Sequence, residues 1–170
     1  MRRTKGNAQD NGRHAMSGRI KARLAELGLT LPKATAPVAN YVPFVISGNL
    51  VFVSGQVTIG PQGLEYVGIV GKDFDVEHGK KAARLCALNI VGQLDAATNG
   101  DLDRVKRIVK VTGFVNAVPG FAQHPEVVNG ASDLFVEIFG DAGRHARAAV
   151  GAGSLPRNVA VEVEAIAELQ

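Results

Sequence analysis

One cysteine, no tryptophan and two tyrosines stand among the 170 residues of this chain. A lone cysteine, Cys86, excludes an intrachain disulfide framework and any metal cage built from several thiolates. It reads as a small apolar side chain on a buried helix face. Such sparse cysteine fits a reducing compartment, and the cytoplasm is the expected location. Aromatics make up 5 % of the chain, too few for a stacking platform on single-stranded nucleic acid. No apolar run approaches the roughly 20 residues that span a bilayer, so a soluble protein without a membrane partner is expected.

Several catalytic signatures are missing too. There is no GxSxG, no P-loop and no GxGxxG. The four histidines, His14, His78, His124 and His145, show no metal-ligand spacing. His14, His78 and His124 read as surface residues. Ser54, in VSGQ, has no histidine near it in sequence to activate it, which argues against a Ser-His triad. No metal site is expected from these residues.

What the chain does have is an uneven charge. Seven basic residues and one acid fall between Met1 and Leu24, giving that stretch +6 and leaving −3 for the other 146 residues. A basic leader on a mildly acidic body is a poor nucleic-acid binder. Residues 1–15 are polar and aperiodic and are expected to be a disordered leader. They lack the apolar core of a secretory signal, and Met16 is expected to open the structured sequence. Residues 16–35 read as a short helix and a Pro-containing extended linker. Ser17 is the expected N-cap, Ile20, Leu24 and Leu27 share one face, and Gly28 is the stop.

Residues 36–170 read as one domain. FVISGNLVFVSGQVTI is a hairpin about Gly48-Asn49, and LEYVGIVG reads as a third strand. A helix is expected from about Val76 to Thr98, capped by Asp75 and ended at Asn99-Gly100, with Ala83, Ala87, Ile90, Leu94 and Ala97 as its buried stripe. RVKRIVKVTGFVNAVP contains a long strand with Val109, Val111 and Val115 on one face. A second helix follows, with Val127, Leu134 and Ile138 buried and Gly140 closing it. Strands at Ala146–Ala152 and Val159–Leu169 complete the order β-β-β-α-β-α-β-β. This is an α+β pattern in which two long helices cover one face of a mostly antiparallel sheet. The other face must meet something apolar, and a second copy of the chain is the simplest candidate.

The last two strands raise the question of function. Arg147 lies among Ala146, Ala148, Ala149, Gly151 and Gly153, and Glu162, Glu164 and Glu168 alternate with apolar residues on the final strand. One reading is a half-buried edge strand with a solvated acidic face, Arg147 pairing with one glutamate. The other is a site. Small neighbours leave room for a ligand carboxylate beside a guanidinium, and a nearby glutamate can deprotonate water.

ARAAVGAGSLPRNVAVEVEAIAE resembles the C-terminal signature of the reactive intermediate deaminases, the Rid or YjgF-like family, also known as the endoribonuclease L-PSP family. NYVPFVISGNLVFVSGQV and FVNAVPGFAQHPEVVNGASDLF resemble its hairpin and second helix. The resemblance spans about Ala36 to Leu169. It implies a chorismate-mutase-like fold, a homotrimer with clefts between subunits, and cofactor-free hydrolysis of enamines and imines such as 2-aminoacrylate to 2-oxo acids and ammonia. By the same resemblance Arg147 grips the substrate carboxylate and Glu162 activates water. Tyr41, Ser54, Gly55 and Asn129 line the cleft. The chain departs from the family pattern at Ala149, where many members have cysteine, and at His145, where proline is usual. Its loop around Gln123–Glu126 is longer, and the leader through Thr35 has no counterpart in short members. His145 and the loop are expected to fit the cleft to a bulkier acid. Two other functions stay open: a non-catalytic module binding keto acids or other small carboxylates, and a ribonuclease or translation inhibitor, against which the acidic body argues.

Overall fold

The computed structural model describes residues 18–33 and 40–170. The expected leader, and Ser17 as a cap, lie outside the described residues. Helix α1 (Arg19–Glu26) buries Ile20 and Leu24. Its cap comes from far away in sequence. The Asp103 carboxylate accepts from the backbone N–H groups of Gly18, Arg19 and Ile20, supplying charge where the first turn has free donors.

Strands β1 (Phe44–Ser47) and β2 (Leu50–Gln56) form the expected hairpin, with Ser47 opposite Leu50. The expected third strand does not form. Only β3 (Ile59–Gly60) and β4 (Gly63–Leu64) pair there, as a separate two-stranded ribbon. Beyond them Tyr66 (φ 50°), Gly68 (φ 152°) and Gly71 (φ 87°) break the extended backbone, leaving isolated bridges at Val67 and Val70. Helix α2 (Val76–Ala97) is capped by Asp75, which accepts from the His78 N–H at 2.8 Å, and its expected stripe is buried. Helix α3 (His124–Phe139) buries Val127, Leu134 and Ile138 and ends at Gly140 (φ 63°). Cys86 is fully buried against the Val161 carbonyl, and burial pushes its thiol pKa up.

The main sheet runs β1-β2-β7-β5-β6, with β5 at Val105–Asn116, β6 at Ala146–Ala152 and β7 at Val161–Leu169. All its pairings are antiparallel except β5 with β6. Helices α2 and α3 cover one face. The alternate residues Val161, Val163, Ala165, Ala167 and Leu169 of β7 point into that core. This is the expected α+β architecture of two long helices, a mixed sheet and a short N-terminal helix.

Two details of the sheet differ from expectation. On β5 a register shift between Ile108 and Lys110 puts Ile108, not Val109, in the core with Val111 and Val115. And β7 is central, flanked by β2 and β5, while β6 is the edge. Arg147 pairs across to Val111 and therefore shares its helix-covered side. Glu162 sits opposite Phe114 on the other face. The expected cross-strand pair of Arg147 with a glutamate is thus ruled out, because β5 intervenes.

Candidate functional site

Two polar groupings emerge. The first centres on Arg147, half-buried on edge strand β6. Its Nη1 donates to Asn129 Oδ1 at 2.8 Å and to Ser132 Oγ at 3.1 Å. Asn129 and Ser132 lie three residues apart on α3 and so share a helix face. Ser132 Oγ also contacts His145 Nε2 at 2.9 Å, and His145 Nδ1 is 2.7 Å from the Gly143 carbonyl. The carbonyl can only accept, so Nδ1 carries the proton and Nε2 accepts from the Ser132 hydroxyl. That frees the Ser132 lone pairs for Arg147. Burial lowers the His145 pKa, the bond to Gly143 opposes this, and Arg147 lowers it further. The net shift favours the neutral imidazole. It packs edge-on against Phe135, with centroids 5.7 Å apart. His145 therefore acts on the arginine through Ser132.

The arrangement holds one end of the guanidinium and leaves the other open. Both Nη1 hydrogens are committed to α3. The N–H groups of Nε and Nη2 have no partner among the described residues, and they form the fork that takes a carboxylate bidentately.

The second grouping lies at the β2–β7 end of the sheet. Glu162 is half-buried, and its pKa is raised, first by burial and then by the Glu164 carboxylate. Gly55 lies directly against it: a Cβ there would overlap the Glu162 carboxylate. Ser54 Oγ donates to the Val42 carbonyl at 2.7 Å, and its backbone N–H to the Pro43 carbonyl at 2.9 Å. These bonds fix the segment carrying Tyr41, which is exposed. A raised carboxylate pKa beside a small residue is what a general base for water requires.

The structure therefore joins Arg147 to Asn129 and Glu162 to Gly55, with Ser54 bonded to the Val42–Pro43 segment instead, and it does not join the two sets within one chain. The register places them on opposite faces of the sheet, two strands apart, which is about 10 Å at the usual strand spacing. On the Glu162 face, Val45, Phe52 and Val150 are exposed large apolar residues, and Phe114 and Ile166 are half-buried beside them. Sequence reasoning missed Ser132, although its three-residue spacing from Asn129 was the available signal. His78 is exposed as expected, bound to Asp75 at 2.7 Å, but His124 is half-buried against Phe121 and Gly151. Among the described residues no group of His, Cys, Asp and Glu is placed to hold a metal, and no helix is long and apolar enough to cross a membrane.

Comparison with known proteins places this architecture. Residues 21–169 match the family described as "YjgF/chorismate_mutase-like, putative endoribonuclease", and the chain belongs to that family. Protein TCP17 of Trypanosoma cruzi is 51% identical over 154 residues, 90% of this chain and 96% of its own length. The crystal structure of Atu1372, a protein of unknown function from Agrobacterium tumefaciens, superposes with a TM-score of 0.84 at 50% identity, covering 92% of this chain and 97% of that one. More distant is the 2-iminobutanoate/2-iminopropanoate deaminase of Salmonella typhimurium, 32% identical over 134 residues, 79% of this chain and 91% of its own. TdcF of E. coli, solved with bound serine, superposes with a TM-score of 0.58 at 28% identity, over 81% and 94% of the two chains.

Proposed function

We propose that the protein hydrolyses small 2-imino acids and their enamine tautomers to 2-oxo acids and ammonia, in clefts formed between copies of the chain. The observation that carries this reading is the half-anchored arginine: Nη1 is fixed by Asn129 and Ser132, while Nε and Nη2 have no partner among the described residues at the sheet edge.

The chemistry balances without a cofactor. The open fork of Arg147 binds the substrate carboxylate. Glu162 takes a proton from a water whose oxygen adds to the imine carbon, and the C=N π electrons move to nitrogen. Glu162 returns the proton to that nitrogen, and the carbinolamine collapses as its hydroxyl proton passes to the amino group and the C=O bond forms. The C–N bond breaks, ammonia leaves, and a 2-oxo acid remains. A base with a raised pKa suits both proton transfers near neutrality.

A second copy supplies the missing half. The exposed apolar patch beside Glu162 needs a cover, and the β6 edge of a neighbour carries the complementary guanidinium. Edge-to-face contact of this kind is heterologous and generates a ring where the rotation closes; a homotrimer is the proposed assembly. Tyr41, Ser54 and Gly55 would line the Glu162 side and Asn129 the Arg147 side. TdcF with its bound serine supports a small carboxylate ligand and also favours a second reading, binding without turnover. A ribonuclease fits poorly, since Glu162 and Glu164 would repel phosphates at this face.

The test is release of 2-oxo acid and ammonia from freshly generated 2-aminoacrylate and from a bulkier imino acid. Wild type should accelerate it, and Arg147→Ala and Glu162→Gln should each lose the acceleration. Binding of small carboxylates that survives Glu162→Gln, with no turnover by wild type, would establish the binding module instead.

A further inference from the structure

We propose that capture of a small carboxylate by Arg147 is coupled to uptake of a proton by His145, so that the site takes 2-oxo and 2-imino acids as proton-linked anions and holds them more tightly in mild acid. The inference rests on the proposed carboxylate fork of Arg147. It adds a group that responds to the ligand without touching it.

Ser132 is the joint between the two groups. Its Oγ lies 2.9 Å from His145 Nε2 and 3.1 Å from Arg147 Nη1. The two nitrogens therefore stand no more than about 6 Å apart, bridged by one oxygen. While His145 is neutral, the Ser132 hydroxyl donates to Nε2. A protonated His145 donates from Nε2 instead, and the hydroxyl proton must turn away. A helical serine can send it to the carbonyl four residues back, here Val128. Ser132 Oγ then accepts from two cations at once. Nδ1 keeps its bond to the Gly143 carbonyl in both states, so the ring holds its place and only Nε2 changes role.

Without a ligand the doubly charged state is disfavoured. Two positive charges at this separation repel in half-buried surroundings, and Arg147 does push His145 toward its neutral form. Among the described residues no carboxylate offsets this. Arg144 is exposed and turned to Asp141 of the turn Gly140–Gly143, at 3.3 Å. On α3, Asp133 is exposed, and Glu137 is paired with Arg84 at 2.7 Å. On β5, Lys110 stands across from Ala146 and so faces the other side of the sheet from Val111 and Arg147. A carboxylate on Nε and Nη2 of Arg147 compensates the guanidinium charge and relieves the repulsion. Binding therefore favours protonation of His145, and by reciprocity protonation favours binding by the same factor.

Imidazole NMR of the full chain, with 2-oxobutanoate as the probe, tests the proposal. Replacing single histidines with glutamine assigns the signals. Saturating 2-oxobutanoate should move the midpoint of the His145 titration to higher pH, and binding should be about threefold or more tighter at about pH 4.5 than at about pH 8. In Arg147→Ala, His145 should titrate at higher pH than in wild type, and 2-oxobutanoate should no longer move it. His145→Gln keeps an acceptor for Ser132 but cannot titrate, so its binding should lose most of the strengthening in acid. Glu162→Gln should keep that strengthening, which separates His145 from the other titrating group of the proposed cleft. No binding of 2-oxobutanoate by wild type overturns the carboxylate fork and this inference with it. Binding that leaves the His145 titration unmoved overturns this inference alone, as does acid strengthening that survives in full in His145→Gln. Should His145→Gln not fold by circular dichroism, the wild-type titration decides.

Discussion

Arg147 and Glu162 stand on opposite faces of one sheet, with β5 between their strands: Arg147 registers with Val111, Glu162 with Phe114. A carboxylate and a guanidinium so placed cannot act on one small molecule within a single chain. Each is nevertheless prepared for work, the arginine by its anchors on α3 and the glutamate by burial against Gly55. Under the proposed function, this relationship makes assembly part of the mechanism.

The anchoring of Arg147 predicts a binding defect. Asn129→Ala removes the 2.8 Å acceptor from Nη1. A hydrogen bond to a charged group contributes about 1.5–3 kcal/mol, so KM for the imino acid should rise about tenfold or more, with a smaller change in kcat. His145→Ala frees Ser132 and should raise KM less, by about threefold. Steady-state kinetics separates the two parameters, and equal losses in kcat for both variants would mean that the arginine is not what they orient.

Gly55→Ala should separate activity from stability. The added Cβ meets the carboxylate end of Glu162, a flexible group that moves aside at low cost. Thermal unfolding should stay within about 1 kcal/mol of wild type, the usual range for a change without core disruption. Turnover should fall about tenfold or more, because 1.4 kcal/mol of misplacement already has that effect.

The pKa of Glu162 is raised by burial and by Glu164. The acid limb of kcat/KM should therefore lie above the ordinary carboxylate range, and Glu164→Gln should move it to lower pH. The stability sign follows from the same shift. A carboxyl group whose pKa is higher folded than unfolded favours the protonated native state, so its contribution is lost as pH rises through the unfolded value and on through the folded one. Glu162→Gln should hence melt at or above the wild-type temperature at neutral pH while being inactive. A pH–rate series and melting curves check both.

Asp103 caps α1 by accepting from three backbone N–H groups. Asp103→Ala should cost about 1–2 kcal/mol, the range for a lost helix cap, and lower Tm by about 2–4 °C for each kcal/mol in a chain of this size. Hydrogen exchange should locate the loss in residues 19–26. Unchanged exchange there would contradict the capping role.

These contacts also show what could be read from sequence. Both long helices were legible because their apolar stripes repeat along twenty-odd and sixteen residues, and the hairpin because Gly48-Asn49 demands a tight turn. LEYVGIVG misled because its β-branched residues suit a strand while Gly68 and Gly71 take backbone angles that no strand contains. Val109 was misplaced by a bulge, which period-two alternation cannot anticipate. The central place of β7 depends on pairings across 46 to 118 residues, and the capping of α1 by Asp103 on contacts across 83 to 85, for which a local pattern carries no signal. At the site, alternation put Glu162 opposite the core, and small neighbours singled out Arg147. Ser132 and His145 as its supports needed α3 and β6 to be laid side by side.

The shared cleft is tested most directly by mixing two inactive variants. Arg147→Ala and Glu162→Gln would be unfolded together in equal amounts, refolded, and assayed for 2-oxo acid release. If each site takes its arginine from one copy and its glutamate from the next, random assembly leaves about a quarter of the sites intact. Activity should then return to about a quarter of wild type, while each variant refolded alone stays inactive. No recovery, in a mixture that native mass spectrometry shows to contain mixed assemblies, would contradict a site built between copies.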